Sequence, residues 1–234
     1  MNARPQHGFT LWELLITLLV AGILIGIGVP NVMEFQRNGA MTAAANEFVT
    51  GILMARAEAV KRQVPVGLCL TANPTDPVPV CLQNPVADNR NLGFVVWVDE
   101  NGNLDANGSP ILTDATDGNA AIDAGETVLM RRVPAGGTVA VSANCGYISY
   151  GQNGFTRQAT LGGVQLCNPN PRAILLCDDR GRRRAAGSLS SARIVAIDNI
   201  GRGQVYQTVG NTPNVDVDWF VTNTLAAVNP TCPP

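Results

Sequence analysis

From Phe9 to Met33 the chain runs for 25 residues with a single charge, Glu13. A helix rises 1.5 Å per residue, so a run of this length spans the roughly 30 Å hydrocarbon core of a bilayer. The eight residues before it, MNARPQHG, are polar and carry Arg4. An ordinary secretory signal places its small-residue cleavage site after the apolar run. Here the candidate site, Gly8-Phe9, lies before it. Cleavage there leaves the apolar segment on the mature chain.

Two features interrupt the run. A carboxylate at mid-membrane costs about 2.5–3.5 kcal/mol, so Glu13 is expected to be kept for a partner; the alternative is an interfacial carboxylate that merely flanks the helix. Gly26, Gly28 and Pro30 follow in the second half. Proline removes an intrahelical hydrogen bond and clashes with the preceding turn, and each glycine costs about 1 kcal/mol. The stretch is therefore expected to kink or melt at Pro30.

Beyond Pro30 the pattern turns amphipathic. Val32, Phe35, Ala43, Ala44, Phe48, Ile52, Leu53, Ala55, Ala59 and Val60 recur at helical spacing, with charged residues between them. This predicts a helix continuing to about residue 62 that seats a sheet on its apolar face. Pro65 marks the change, and VPVGLCL begins a series of strand-like runs separated by turn signals. The runs are 64–70, 93–98, 127–133, 137–142, 146–150, 159–161, 173–177, 192–197 and 202–207. Most of the 24 glycines and 15 prolines lie beyond residue 63, which suits turns between short strands. The fold class is thus α+β: a long N-terminal helix, membrane-spanning in its first half, packed on a C-terminal antiparallel β domain.

The six cysteines (Cys69, Cys81, Cys145, Cys167, Cys177 and Cys232) form no CxxC pair, and the one histidine is His7. No metal site is expected from such a set. An even count in a domain that follows a membrane segment fits disulfides in an oxidising compartment. Spacing favours Cys69–Cys81 and Cys167–Cys177 as local loops, which leaves Cys145–Cys232.

Charge is uneven although the net is only −2. Residues 88–126 hold eight carboxylates against one arginine. Within them Asp99, Asn101, Asn103 and Asp105 have the spacing of the first half of a calcium loop, but Pro110 stands at the twelfth position, so a polar turn is the simpler account. Between residues 172 and 204 seven arginines face three aspartates. The densest run is Arg180-Gly181-Arg182-Arg183-Arg184, a grouping suited to phosphate or, equally, to a solvated loop or an acidic neighbouring subunit. The sequence holds no HExxH, GxSxG or phosphate-loop pattern and a cysteine nucleophile would lack its histidine, so neither enzymatic activity nor a cofactor is expected.

The segment GFTLWELLITLLVAGILIGIGVP resembles the type III signal of type IV pilins and type II secretion pseudopilins, through Gly8, Phe9, Thr10, Leu11, Glu13, Leu14 and Leu15. Trp12 departs from the usual aliphatic residue. The phrase AMTAAANEFVTGILMARAEAVKRQVPVGLCL is similar to the helix-to-strand transition of the GspH/FimT group of minor pilins and pseudopilins. The likeness returns at LLCDDRG and ARIVAIDNIGRGQVY; segments 71–92 and 99–126 look like insertions. The resemblance implies cleavage between Gly8 and Phe9 by a prepilin peptidase, N-methylation of Phe9, and pairing of Glu13 with the new amine of a neighbouring subunit. It implies three parts: a leader at 1–8, a helix at 9–62 with a transmembrane and filament-core segment at 9–33, and a periplasmic β-rich domain at 63–234 made of two sheets on the helix. The protein would be a single-pass inner-membrane subunit that joins other pilins in a filament.

On this basis the expected function is a minor pilin that primes or caps assembly of a type IV pilus. A type II secretion pseudopilin of the H type is the alternative. A third is a DNA-binding minor pilin of natural transformation, because some members of the group bind DNA through a Gly-Arg-x-Arg motif. Gly181-Arg182-Arg183-Arg184 satisfies that pattern. Gly201-Arg202-Gly203-Gln204 stands at the group's usual place but has glutamine at the second arginine.

Overall fold

The computed structural model describes residues 9–82, 86–89, 92–99, 122–123, 125–133, 139–157, 160–161, 164–165, 172–179, 192–198 and 200–206. Its one long helix, α1, runs Leu11–Arg62 and is unbroken through Gly26, Gly28 and Pro30. The chain divides within this helix into two compact units, Met1–Gly39 and Ala40–Pro234.

In the first unit the helix has no core to cover. Its most apolar 18-residue window has mean hydropathy 2.3 and none of it is buried. Leu11, Trp12, Leu18, Leu24 and Ile27 are all exposed. By length and composition this helix is able to cross a membrane.

In the second unit the same helix becomes a core element. The buried residues are Met41, Ala44, Ala45, Phe48, Gly51, Ile52, Ala55 and Ala59, spaced by three and four along one stripe. This narrows the face expected from sequence. Ala43, Leu53 and Val60 are exposed, as are Val32 and Phe35 in the first unit. The stripe is built largely of alanine and glycine, which let the helix approach the sheets closely. Larger apolar residues on its flanks mimic the same periodicity.

Among the described residues twelve strands follow: β1 Val66–Thr71, β2 Val86–Asn89, β3 Gly93–Val98, β4 Val128–Arg132, β5 Ala140–Ala143, β6 Tyr147–Tyr150, β7 Thr156–Arg157, β8 Thr160–Leu161, β9 Val164–Gln165, β10 Arg172–Cys177, β11 Arg193–Ile197 and β12 Gly203–Tyr206. One five-stranded sheet has the order β4-β3-β1-β6-β7, the other β12-β11-β10-β5-β2, and β8 and β9 pair alone. Strand pairings among the described residues are antiparallel, with Leu68 opposite both Val96 and Ile148.

Side chains alternate between faces of a strand, and both sheets use this to share one core. Val66, Leu68, Leu70, Phe94, Val96, Ile148, Ile174, Leu176, Val195 and Ile197 join the helix residues in a single cluster. The residues between them are buried too. Cys69, Val95, Trp97 and Tyr147 form a cluster behind the first sheet, and Ala173, Leu175, Cys177 and Ile194 another behind the second. Burial on both faces explains why GFVVWV and RAILLC read as continuous apolar runs.

Each expected strand has a counterpart within a few residues, whereas β2, β7 and β9 were not anticipated. β2 lies in the stretch read as an insertion and shifts register against β5 between Val86 and Asn89. Its polar sequence, VADN, carries no strand signal of its own.

Candidate assembly and binding sites

The helix start is organised by its own residues. Thr10 precedes the first helical residue, and its backbone N–H and hydroxyl both donate to Glu13 Oε2, at 2.9 and 2.8 Å. The Glu13 N–H donates back to Thr10 Oγ1 at 3.3 Å. This reciprocal arrangement is a capping box, which satisfies backbone donors that a helix terminus leaves without partners. The T-x-x-E spacing was legible in the sequence, but a polar residue in an apolar run directs attention to outside partners first. Phe9 is highly exposed beside the cap. Gly8 lies outside the described residues.

The arginines between 172 and 204 do not form one surface patch. Arg172, in β10, is buried, and its Nη1 donates to Thr156 Oγ1 at 3.0 Å. Burial lowers its pKa from the ordinary guanidinium value, and nearby Tyr150 opposes this more weakly. Arg193, in β11, is also buried, with Nη1 donating to the Ala192 carbonyl. Arg202 follows the β11–β12 turn. Its backbone N–H donates to Asp198 Oδ1 at 2.8 Å and its Nε to Asp198 Oδ2 at 3.1 Å. Gln204 accepts a hydrogen bond from the Tyr206 hydroxyl. Arg180, Arg182, Arg183 and Arg184 lie outside the described residues. Strand periodicity, invisible in a charge count, thus removes two of the seven arginines from the surface.

Asp99 has a different place from that of a first calcium ligand. It is fully buried, and the Tyr147 hydroxyl donates to its Oδ2 at 3.0 Å. Burial pushes the Tyr147 phenol well above its ordinary pKa, and the Asp99 charge adds to the effect. Asn101, Asn103 and Asp105 lie outside the described residues. No group of three or more metal-ligating side chains occurs among the described residues.

Cys69 and Cys81 are joined in a disulfide with their Cα atoms 5.5 Å apart, as their spacing suggested. Cys145 and Cys177 are each engaged in a disulfide as well. Cys167 and Cys232, expected to bond Cys177 and Cys145, lie outside the described residues. The loop closed by Cys69–Cys81 has a second tether that sequence reading missed. Arg131, in β4, donates to the carbonyl oxygens of Pro74, Asp76 and Pro77. A contact between residues more than 50 positions apart leaves no local signal.

Residues 44–201 match the family model described as type II transport protein GspH, and residues 3–29 match the prokaryotic N-terminal methylation motif. Among solved structures, a crystal form of the type IV minor pilin FimU from Pseudomonas aeruginosa is 16% identical, covers 73% of this chain and 91% of that one, and has a TM-score of 0.41. A second crystal form of the same pilin is 15% identical, with coverage of 70% and 90% and a TM-score of 0.37. A likeness of that degree supports no inference about function. No curated protein sequence matches significantly.

Proposed function

From the premise that this chain belongs to the GspH family of type IV pilin-like proteins, we propose that it is a minor pilin that primes or caps assembly of a type IV pilus. Pilin-like proteins of this kind are structural subunits, and the N-terminal apolar helix and methylation motif fit a membrane-anchored pilin that assembles with others. The observation that carries the proposal is the contrast along α1. In its first unit the most apolar stretch of the helix is wholly unburied, and in its second the helix seats a two-sheet domain.

In this reading residues 1–8 are a leader, 9–33 first hold the subunit in the inner membrane, and 63–234 form a periplasmic domain. Prepilin peptidase cuts after Gly8 and the new amine of Phe9 is methylated. The helices then exchange lipid for one another in a filament core. Glu13 pairs with the amine of a neighbour, replacing the bond to Thr10 that it makes within its own chain. Pro30 marks the place where α1 bends or melts during packing.

The test is processing and incorporation together. Mass spectrometry of the purified chain is expected to find methyl-Phe9 as the first residue, and Gly8→Ala to block this. The processed protein is expected in sheared pili. An unprocessed chain, or a processed one absent from every filament fraction, overturns the proposal. A pseudopilin of type II secretion is the second reading, favoured by the description of the matching family. Loss of secretion with pili intact on deletion would select it. DNA binding would rest on Arg180, Arg182, Arg183, Arg184 and Arg202, the last with Gln204 where the motif has its second arginine. A gel shift abolished by Arg182→Ala, Arg183→Ala and Arg184→Ala together would establish that role.

A further inference from the structure

Three glycines bring separate parts of the second unit to one place. A methyl group at Gly154, in the β6–β7 turn, would lie 3.0 Å from Val60 Cγ2 and 3.3 Å from Arg56 Nε, both on α1. One at Gly201, in the β11–β12 turn, would lie 2.8 Å from the Gly154 carbonyl oxygen. One at Gly203 would lie 3.3 Å from Ile52 Cγ2. Gly154 and Gly201 have φ of 74° and 80°, a region that glycine enters without a Cβ penalty. Both turns are therefore pressed against the helix and against each other where any larger residue would hold them apart.

The surface at this junction is unusual for a solvated one. Leu53, Arg56 and Val60 lie at helical spacing on one face of α1. Leu53 is 53% exposed, Val60 and the adjacent Phe155 are 45% exposed, and Ile200 is 42% exposed. Arg56, Arg172 and Asp198 are all within electrostatic reach of Tyr150, whose hydroxyl donates to the Gly201 carbonyl at 3.4 Å. Arg202 is paired with the same Asp198. Arg172 is buried, so Arg56, beside Gly154, and Arg202, beside Gly201, are the guanidinium groups this junction can present, against the one carboxylate of Asp198. The Arg202–Asp198 pair is solvent-exposed and weak, and it leaves both terminal nitrogens of the guanidinium for another acceptor.

We infer that this junction, lined by Leu53, Arg56, Val60, Phe155, Ile200 and Arg202, docks an acidic, partly apolar surface of a different pilin-like subunit. The inference deepens the filament reading and rests on it. Charge complementarity selects the occupant. In a chain of net charge −2 this junction presents two arginines against one carboxylate, so the facing surface supplies the balancing carboxylate. Arginine and aromatic residues beside exposed aliphatic ones match the composition of protein–protein contacts. Surfaces for a phosphate backbone are more polar and lack such an aliphatic share. The turns are already held by close packing, so little ordering remains when the partner arrives.

The test uses the full chain expressed with the other pilin-like subunits of its filament. A photo-reactive residue at position 155 or 200 is expected to cross-link to one of them within a peptide rich in Asp and Glu. One at Val78, in the disulfide loop, is the control position. Arg56→Glu with Arg202→Glu should cut cross-link yield and filament incorporation about tenfold or more, the size of a lost charged hot spot. Reversing the contacted carboxylates to arginine should restore both. Arg56→Gln and Arg202→Gln, each alone, give smaller losses and serve if the double reversal unfolds the chain. Cross-links only to lipid, to DNA, to a second copy or within the same chain overturn the inference, as does incorporation unchanged by the variants. Absence of the wild-type chain from filaments instead refutes the minor-pilin reading. A wild-type chain that is incorporated without cross-linking at 155 or 200 refutes only this docking surface.

Discussion

Replacing Gly51 by alanine sets two effects of known size against each other. Gly51 lies on the buried stripe of α1, and glycine there costs the helix about 1 kcal/mol relative to alanine. Propensity alone therefore makes Gly51→Ala stabilising. The added methyl, however, would stand 2.5 Å from Phe94 Cε2, 3.0 Å from Phe94 Cζ and 3.0 Å from Leu68 Cδ1. Neither neighbour has room to yield. Leu68 and Phe94 are buried, and the Phe94 ring packs on Phe48 at 4.8 Å between centroids. Overpacking a core by a methylene group costs about 1–3 kcal/mol. With both neighbours pinned, the upper half of that range applies, and the net change is a loss of about 1–2 kcal/mol. The assay is urea unfolding of the full chain in non-denaturing detergent. Gly39→Ala is the control, because a methyl there meets nothing within 4 Å and only the propensity gain remains. Phe94→Leu should recover part of the loss in a double-mutant cycle, with a coupling of about 0.5 kcal/mol or more. A Gly51→Ala chain as stable as wild type would mean that the helix is not seated on Phe94 and Leu68, which would undo the account of the core.

Three further outcomes are expected. Replacing Cys69 and Cys81 by alanine opens a loop of sequence separation 12, and stability in the same titration should fall by about 3 kcal/mol. Burial raises the phenol pKa values of Tyr147 and Tyr150 above 10 in the folded chain, so folding favours the protonated form. Their contribution is intact below about pH 10, the unfolded value, and is lost as pH rises towards the folded values. Alkaline unfolding curves should accordingly flatten in Tyr147→Phe, and an unchanged slope would refute this. Glu13→Gln keeps a capping-box side chain but removes the charge, whereas Glu13→Ala removes both. If pairing with the Phe9 amine governs assembly, both variants are lost from filaments. Only Glu13→Ala should fray the helix start, by about 1 kcal/mol, as read by hydrogen exchange at Thr10–Leu14.

The end of α1 at Arg62 and the strand at 93–98 were legible because their signals are local: a proline, a change of period, an unbroken apolar run. β2 was not, since VADN becomes a strand only by pairing with β5. The candidate sites divide in the same way. Thr10 and Glu13 are three residues apart, and the cap they form follows from that spacing. The burial of Arg172 and Arg193 depends on which sheet faces are covered. The grip of Arg131 on the carbonyls of the 74–77 turn depends on β4 reaching the loop that follows β1.

The sequence by itself determined the apolar helix and nine of the twelve described strands, because hydropathy and backbone preference act within a few residues. Its resemblance to pilin signals pointed to processing after Gly8 for the same reason: the motif is contiguous. Tertiary structure alone decided how charge is displayed. Asp99 turns inward to Tyr147, Arg172 and Arg193 leave the surface, Arg56 and Arg172 come within electrostatic reach of Tyr150, and Arg202 pairs with Asp198. Electrostatic interaction depends on distance through space and on burial. Neither quantity is written along the chain until the glycine turns have closed against the helix.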